Sequence, residues 1–389
     1  MKDQAGMSVP DEHTSDSSAC GCAQDVQEGA ASTSRHRATQ STTADASRAG
    51  GEATHVAVIG SGAWGTTFAC VLADAGCQVA LWTRRQALAA EINSGTNERY
   101  VPGRALPSSI TASTDYEQVL RGASVVVVAV PSQQAREILT PMVPFIEDGA
   151  IIVSLMKGIE KGTGMRMSTL LADVCGVDPS TVAVVSGPNL AREIAAQQPT
   201  ATVVACENQE VAERVAGLCA TGYFRPYTNN DVLGVELCGA IKNVIALAVG
   251  IADGCDFGDN SKAALITRGL VEMTRLGSVL GADMETFAGL AGMGDLVATC
   301  SSPLSRNHSF GRRVGQGLSV EQAARVSQGV AEGAKSCAAI AEIATHYGVD
   351  MPITAAVVAV VEHGADVQDV IDRLLSRPRK AEGVHAPVL

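Results

Sequence analysis

The sequence predicts an α/β protein in which a doubly wound sheet domain is followed by an all-helical domain. Three observations predict it. A short apolar run rich in β-branched residues, His55-Val56-Ala57-Val58-Ile59, stops on Gly60 as a buried parallel strand does. A glycine turn, a helical pattern and a second apolar run follow within about thirty residues, the length of one βαβ unit. Beyond about Val232, strand patterns give way to long Ala-, Leu-, Val- and Gly-rich stretches with helical spacing.

In chain order, residues 1–53 are rich in Ser, Thr, Ala, Gly and Asp and almost free of aliphatic and aromatic side chains, so burial cannot offset the entropy of ordering them. A disordered extension is expected there. It lacks the apolar core of a secretory signal, and Asp3, Asp11, Glu12 and Asp16 argue against a transit peptide. Residues 54–232 read as the sheet domain: a helix through Thr66 to Asp74, a strand at Gln78 to Trp82, and buried strands at Ser124 to Val130, Ala150 to Leu155 and Val182 to Ser186. Residues 233–377 read as the helical domain, with helices through Gly234 to Ala252, Ser261 to Leu280 and Val330 to Tyr347, and 378–389 read as a tail. No fixed-period self-similarity points to a solenoid.

Composition narrows the function classes. Of 389 residues, 46% are hydrophobic and 18% charged, enough to bury a substantial core. The formal net charge of -12 argues against a nucleic-acid partner or a polybasic membrane-surface binder, so a small anionic ligand must meet a local basic pocket. The apolar runs fall short of the roughly 18–20 residues of a membrane span, so no membrane insertion and a cytoplasmic location are expected. The eleven cysteines are odd in number and without repeated spacing, and Cys70, Cys77, Cys175, Cys219, Cys238, Cys300 and Cys337 lie in apolar segments, as buried thiols in a reducing compartment would. Cys20-Gly21-Cys22 has no partners at zinc-ligand spacing, and no metal is expected.

Gly60-Ser61-Gly62-Ala63-Trp64-Gly65 matches G-x-G-x-x-G between a strand and a helix, the context in which that pattern binds dinucleotides in a Rossmann-type domain. The first glycine permits the tight turn, the second lets backbone N–H groups approach a pyrophosphate, and the third allows close helix-to-strand packing. At the end of the second strand, where a carboxylate would hold the ribose of NAD, stand Thr83-Arg84-Arg85. Two guanidiniums there suit a 2′-phosphate, so NADP(H) is the expected cofactor, with NAD(H) also admitted; solvated surface arginines are the alternative.

Four segments are left to do chemistry. Lys157 follows an apolar strand, at the carboxyl edge where open α/β sheets bind ligands, and reads equally as an anion ligand or an exposed loop lysine. Lys242, in Gly239-Ala240-Ile241-Lys242-Asn243-Val244, sits on a helix apolar on nearly every side, where burying an ammonium costs several kcal/mol (~3–5) unless it is paired. Such a lysine can protonate a carbonyl oxygen as hydride reaches the carbon; snorkelling from a helix edge is the alternative. Asp295, in Gly292-Met293-Gly294-Asp295-Leu296, is placed by flexible glycines where it could orient Lys242. Ser305-Arg306-Asn307 offers a phosphate clamp or, equally, a helix entry with Ser305 as N-cap.

Together these blocks, with Ser186-Gly187-Pro188-Asn189-Leu190-Ala191 and Glu332-Gly333, resemble the bacterial NAD(P)-dependent glycerol-3-phosphate dehydrogenase family from Val56 to about Arg379. The resemblance implies that Lys242 is the catalytic acid/base and that Lys157, Asp295, Ser305, Arg306 and Asn307, with Asn243, Gly187 and Asn189, surround the substrate. It implies a cofactor site lined by Gly60, Gly62, Ala63, Trp64, Gly65, Arg84, Arg85, Lys157, Ala191, Arg306, Val330 and Glu332. Ala63 and Asn189 replace residues common in that family, serine and threonine, so backbone contacts are expected at both. The implied reaction interconverts dihydroxyacetone phosphate and sn-glycerol 3-phosphate for glycerophospholipid synthesis. Two rivals are a related dehydrogenase of hydroxy acids or ketopantoate, and a non-catalytic NADP(H) sensor. The Gly- and Ala-rich helices permit a homodimer without requiring one.

Overall fold

The computed structural model describes residues 53–327 and 331–378. Strands β1 (His55–Ile59), β2 (Gln78–Trp82), β3 (Ile110–Ser113), β4 (Val125–Val128), β5 (Ile151–Ser154), β6 (Ala183–Ser186), β7 (Thr200–Ala205) and β8 (Phe224–Asn229) form one sheet in the order β3-β2-β1-β4-β5-β6-β7-β8. Every neighbouring pair is parallel except β6 with β7. Helices α1 (Ala63–Asp74), α2 (Gln86–Asn93), α3 (Tyr116–Leu120), α4 (Ala135–Leu139), α5 (Met167–Cys175), α6 (Ala191–Ala195) and α7 (Gln209–Cys219) lie between strands of this sheet.

Side chains alternate across a strand, so β1 and β4 feed two cores at once. Val56, Val58, Val125 and Val127 pack with Phe68 and Val71 of α1 on one face; Ala57, Ile59, Val126 and Val128 pack with Leu139 and Leu170 on the other. In register, Ile59 lies opposite both Trp82 and Val128, which brings the carboxyl ends of β1, β2 and β4 level. The chain leaves β1 for β2 on one side and returns to β4 on the other, and doubly wound sheets bind ligands in the crevice at such a reversal.

After Asn229 the chain is helical: α8 (Val232–Gly254), α9 (Asp259–Leu280), α10 (Met284–Ala288), α11 (Asp295–Ser301), α12 (Arg306–Gly315), α13 (Val320–Val326), α14 (Glu332–His346), α15 (Pro352–Val361) and α16 (Val367–Leu375). Asp231 caps α8, accepting from the Gly234 amide at 2.8 Å. By length and composition α8 could cross a membrane, but 89% of its apolar window is buried, so it is the core helix around which the others pack. Its tightest neighbour is α12. A Cβ on Gly250 would lie 2.1 Å from the His308 carbonyl oxygen, and one on Gly311 would lie 2.2 Å from that of Leu247. The two backbones touch because both helices carry glycine at the crossing.

Several expectations need correction. Sequence patterns yielded five strands and missed β3, β7 and β8, which lie at or near the ends of the sheet, where half-exposed polar positions and Pro226 hide the apolar alternation. Helix α1 begins at Ala63 rather than Thr66, so the last residues of the glycine loop are its first turn. Residues Leu290–Gly294 wind as a π-turn leading into α11, and a Cβ on Gly292 would lie 2.1 Å from the Phe287 carbonyl oxygen. Gly292 serves close approach rather than flexibility, while a Cβ on Gly294 would meet nothing nearer than 3.7 Å. Cys175 and Cys255 are partly exposed, while the other described cysteines are buried and all of them are free thiols. The expected extension at 1–53 lies outside the described residues but for its last, as do the tail beyond Pro378, the Cys20–Cys22 pair and Val330.

The glycine contacts make the α8–α12 crossing a sensitive point. Gly311→Ala is expected to lower unfolding stability by about 1–3 kcal/mol, because its methyl group meets backbone that cannot step aside. Urea unfolding checks this, and an unchanged midpoint would count against the crossing described.

Candidate active site

The glycine loop is built for close approach. Gly60 has φ +116°, and a Cβ there would lie 2.7 Å from the Ala129 carbonyl oxygen; one on Gly65 would lie 1.9 Å from the Gly60 carbonyl oxygen. Gly62, by contrast, faces open space within 4 Å and is the N-cap of α1 without a side-chain cap. The N-terminus of a twelve-residue helix therefore opens beside the β1–β4 crevice with its amides free for an anion. The Trp64 indole N–H is buried with no partner among the described residues, a further donor at the loop. These features fit a dinucleotide pyrophosphate.

Arg84 and Arg85 are exposed at the end of β2, Arg85 as the N-cap of α2 with its guanidinium 6.0 Å from the centre of the Tyr100 ring. Neither has a carboxylate partner among the described residues. Ala63, Ala191 and Glu332 are half-buried, and Glu332 accepts a 2.9 Å hydrogen bond from the Ser132 hydroxyl on the loop after β4.

Lys242 and Lys157 converge on one carboxylate. Lys242 is 5% exposed, and its Nζ donates to Asp295 Oδ1 at 2.5 Å and to Thr299 Oγ1 at 2.7 Å. Lys157, from the end of β5, donates to the other oxygen, Oδ2, at 2.6 Å and to the Gly187 carbonyl at 3.0 Å. Asp295 is 1% exposed, so three charges share a nearly dry site with a surplus of one positive charge. Burial pushes the Lys242 ammonium down to about 8; Asp295 resists that shift and the Lys157 charge adds to it. Gly239 of α8 packs over Ser186 and Lys157, where a Cβ would lie 3.2 Å from Ser186 Oγ and 3.4 Å from Lys157 Cγ. Cys238 and Cys300 are close by, but burial pushes both thiols up, Cys300 to about 12, which leaves them without nucleophilic character.

The start of α12 is tied to this cluster through neighbouring amides. Asn307 Nδ2 donates to Asn243 Oδ1 at 2.9 Å, Asn307 Oδ1 accepts from the Gly333 amide at 2.8 Å, and Asn243 Nδ2 donates to the Gly239 carbonyl at 3.1 Å. These amides knit α8, α12 and α14 together. Ser305 is the N-cap, its hydroxyl accepting from the His308 amide at 3.2 Å, while Arg306 is exposed in the first turn. Of the two readings of this segment, the helix entry is realised, and it leaves the Arg306 side chain available to an anion.

Gly187 has φ +123° and turns its carbonyl onto Lys157; Asn189 donates through Nδ2 to Thr202 Oγ1 at 3.0 Å. The Oδ1 of Asn189 and the hydroxyl of Ser186 are buried without partners among the described residues. Two members of the site escaped sequence reasoning. Thr299 follows Asp295 by four residues on α11 and so shares its face, a spacing that could have revealed it. Ser132 carries no such signal; only the folded chain brings it to Glu332.

Comparison with known proteins is extensive. Residues 55–212 match the family described as NAD-dependent glycerol-3-phosphate dehydrogenase N-terminus, and residues 231–372 match its C-terminus counterpart. A glycerol-3-phosphate dehydrogenase (NAD(P)+) from Streptomyces coelicolor is 56% identical over 84% of this chain and 97% of its own. One from Corynebacterium glutamicum is 54% identical over 84% of this chain and 99% of its own. The crystal structure of glycerol-3-phosphate dehydrogenase from Coxiella burnetii superposes with a TM-score of 0.79 at 38% identity, covering 84% of this chain and 99% of that one.

Removing the shared carboxylate would leave two ammoniums facing a neutral amide. Asp295→Asn is expected to cost about 3–5 kcal/mol in unfolding free energy at pH 7. Lys242 loses its proton in the folded protein as pH rises through about 8, so the carboxylate's contribution fades there and the gap between variant and parent narrows. Denaturant unfolding at pH 7 and pH 9 checks both statements; a gap that widened with pH would contradict them.

Proposed function

The chain belongs to the NAD-dependent glycerol-3-phosphate dehydrogenase family and interconverts dihydroxyacetone phosphate and sn-glycerol 3-phosphate with NAD(P); from that premise we propose the role of each group in its site. The observation that carries the proposal is the buried Lys242 ammonium, held by Asp295 and Thr299 and poised near neutrality. When bound, the nicotinamide supplies or accepts the hydride at the substrate carbon.

In the reducing direction Lys242 donates a hydrogen bond to the ketone oxygen and then its proton, as the carbon–oxygen double bond gives way to an alkoxide. The lysine is left neutral and recovers its proton from water. In the oxidising direction the neutral amine takes the hydroxyl proton. Asp295 holds Lys242 and Lys157 at a fixed separation, and Thr299 limits the rotation of the Lys242 amine, so neither cation needs to reorganise as charge develops.

The surplus positive charge favours a dianionic substrate. We assign the phosphate to Arg306, Lys157 and the amides that open α12, with Ser305, Asn243 and Asn307 setting the position of that helix end against α8. Gly187 and Asn189 border the same space from the sheet. On the cofactor side, Gly60, Gly62, Ala63, Trp64 and Gly65 would receive the pyrophosphate, with Ala191 and Glu332 flanking; Val330 belongs to the same proposal. We take residues 54–232 as the dinucleotide-binding half and 233–377 as the substrate half.

We further propose that NADP(H) is preferred over NAD(H), because Arg84 and Arg85, which have no carboxylate partner among the described residues, stand where a 2′-phosphate would lie, and Thr83-Arg84-Arg85 replaces the carboxylate that would hold a ribose hydroxyl. A cytoplasmic protein acting on a diffusible phosphorylated substrate, without a nucleic-acid partner, fits the net charge of -12.

Lys242→Ala is expected to lower kcat by about 10²–10⁴-fold while leaving NADPH affinity nearly intact. In the parent enzyme, reduction needs the ammonium and so declines as pH climbs through about 8, whereas oxidation needs the amine and rises over the same interval. Steady-state rates in both directions check this, and retained turnover in the alanine variant would overturn the assignment. Replacing Arg84 and Arg85 together by Ala is expected to lower kcat/KM for NADPH by about 10–100-fold and to change that for NADH by less than about threefold. Equal losses with both cofactors would remove the proposed preference.

A further inference from the structure

Asn97 is fully buried in the segment between α2 and β3, outside the glycine loop, yet its side chain reaches the loop from behind. Its Nδ2 donates to Thr66 Oγ1 at 2.9 Å and lies 3.4 Å from the Ser61 carbonyl oxygen. The Thr66 hydroxyl donates to that same carbonyl at 3.1 Å. The Ser61 carbonyl is thereby drawn into the protein by two donors. Because a trans peptide is planar with its C=O and N–H opposed, an inward Ser61 oxygen obliges the Gly62 N–H to face outward. That amide belongs to the open side of the loop, where a Cβ added to Gly62 would meet nothing within 4 Å.

We propose that Asn97, acting with Thr66, is a positioning residue for cofactor binding: it fixes the rotation of the Ser61–Gly62 peptide so that the Gly62 amide is presented to the pyrophosphate. The inference rests on reading residues 60–65 as the dinucleotide loop and adds to it a residue that never touches the cofactor. Free in solution, a glycine-flanked peptide rotates readily, and an amide turned inward would offer a carbonyl oxygen to the phosphates instead. A buried amide is costly to keep, and the Asn97 Oδ1 has no partner among the described residues. The donor end is therefore the end with work to do. The backbone around it is anchored independently, the Asn97 carbonyl accepting from the Val101 amide at 2.8 Å and the Gly95 carbonyl from the Leu106 amide at 2.8 Å. Loss of the side-chain amide thus frees the loop without unmaking the segment.

The test is direct titration of NADPH and of NADH against the parent protein, Asn97→Leu, Thr66→Val and Gly62→Val, with thermal unfolding of each. Asn97→Leu keeps the bulk and removes the donor. It is expected to raise Kd for both cofactors by a common factor of about 5–10, with kcat at saturating cofactor and KM for dihydroxyacetone phosphate within about twofold of the parent. The common factor matters, since the pyrophosphate is shared by both cofactors whereas the arginine pair discriminates between them. Should Asn97→Leu fail to fold, Thr66→Val supplies the reading, with an expected rise of about 2–5-fold in both Kd values. A folded variant with lowered Tm but parental Kd values would show a purely structural role and overturn the proposal. Gly62→Val, whose side chain meets only open space, separates the two layers of inference. If it weakens binding while the Asn97 and Thr66 variants do not, only the positioning role falls; if it too leaves both Kd values unchanged, the loop reading falls and takes this one with it.

Discussion

Lys242 can stay charged inside α8 only because Asp295 reaches it from another helix, and much of the architecture around the site follows from that pairing. A core helix must be apolar on nearly all sides, while the proposed reaction needs a cation on it. Leaving the cation alone would cost several kcal/mol (~3–5), and a partner on the same helix could satisfy it without joining anything else. Asp295 comes instead from α11, and its second oxygen takes Lys157 from the end of β5. One carboxylate thus connects the sheet to two of the helices that follow it, and it leaves a surplus of one positive charge in a protein whose net charge is negative.

Distances this short require backbones to approach one another, and glycine is what allows it. Gly250 and Gly311 let α12 lie against α8, and Gly292 lets the turn before Asp295 fold onto Phe287. The first turns of α8 are tied to the sheet half by a second buried carboxylate. Glu236 accepts from Arg166 at 2.5 Å, from the Ser168 amide at 2.7 Å and from the Ser168 hydroxyl at 2.6 Å, which joins α8 to the start of α5. α8 is thus held near its start by Glu236 and in its middle by the Lys242–Asp295 pair.

The glycine loop obeys the same logic with backbone instead of charge. Its glycines clear a path between β1 and β4, and the polar groups behind them settle which way the loop's peptides face. In both parts, buried polar groups fix the position of the groups proposed to meet substrate or cofactor. Asp295 does this for the two lysines, Asn307 for the entry of α12, and Asn97 for the loop.

The primary sequence by itself determined the order of sheet and helices, the glycine loop and the identity of its chemical groups. Those signals are local: β1 and β4 are short apolar runs, the loop spacing is contiguous, and Lys242 stands out because its helix is otherwise apolar on nearly every side. The edge strands were hidden because β8 carries Arg225, Pro226 and Tyr227, which lose the apolar alternation a buried strand shows. Ser132 and Asn97 were hidden for a different reason, since nothing near them in the chain marks them and their partners are 200 and about 31–36 residues away. That Lys157 and Lys242 share one carboxylate, that Ser305 caps a helix and that Asn307 spans two others came from packing alone. Such facts depend on which side chains the packed backbones bring within hydrogen-bonding reach, a relation between distant segments that no local pattern encodes.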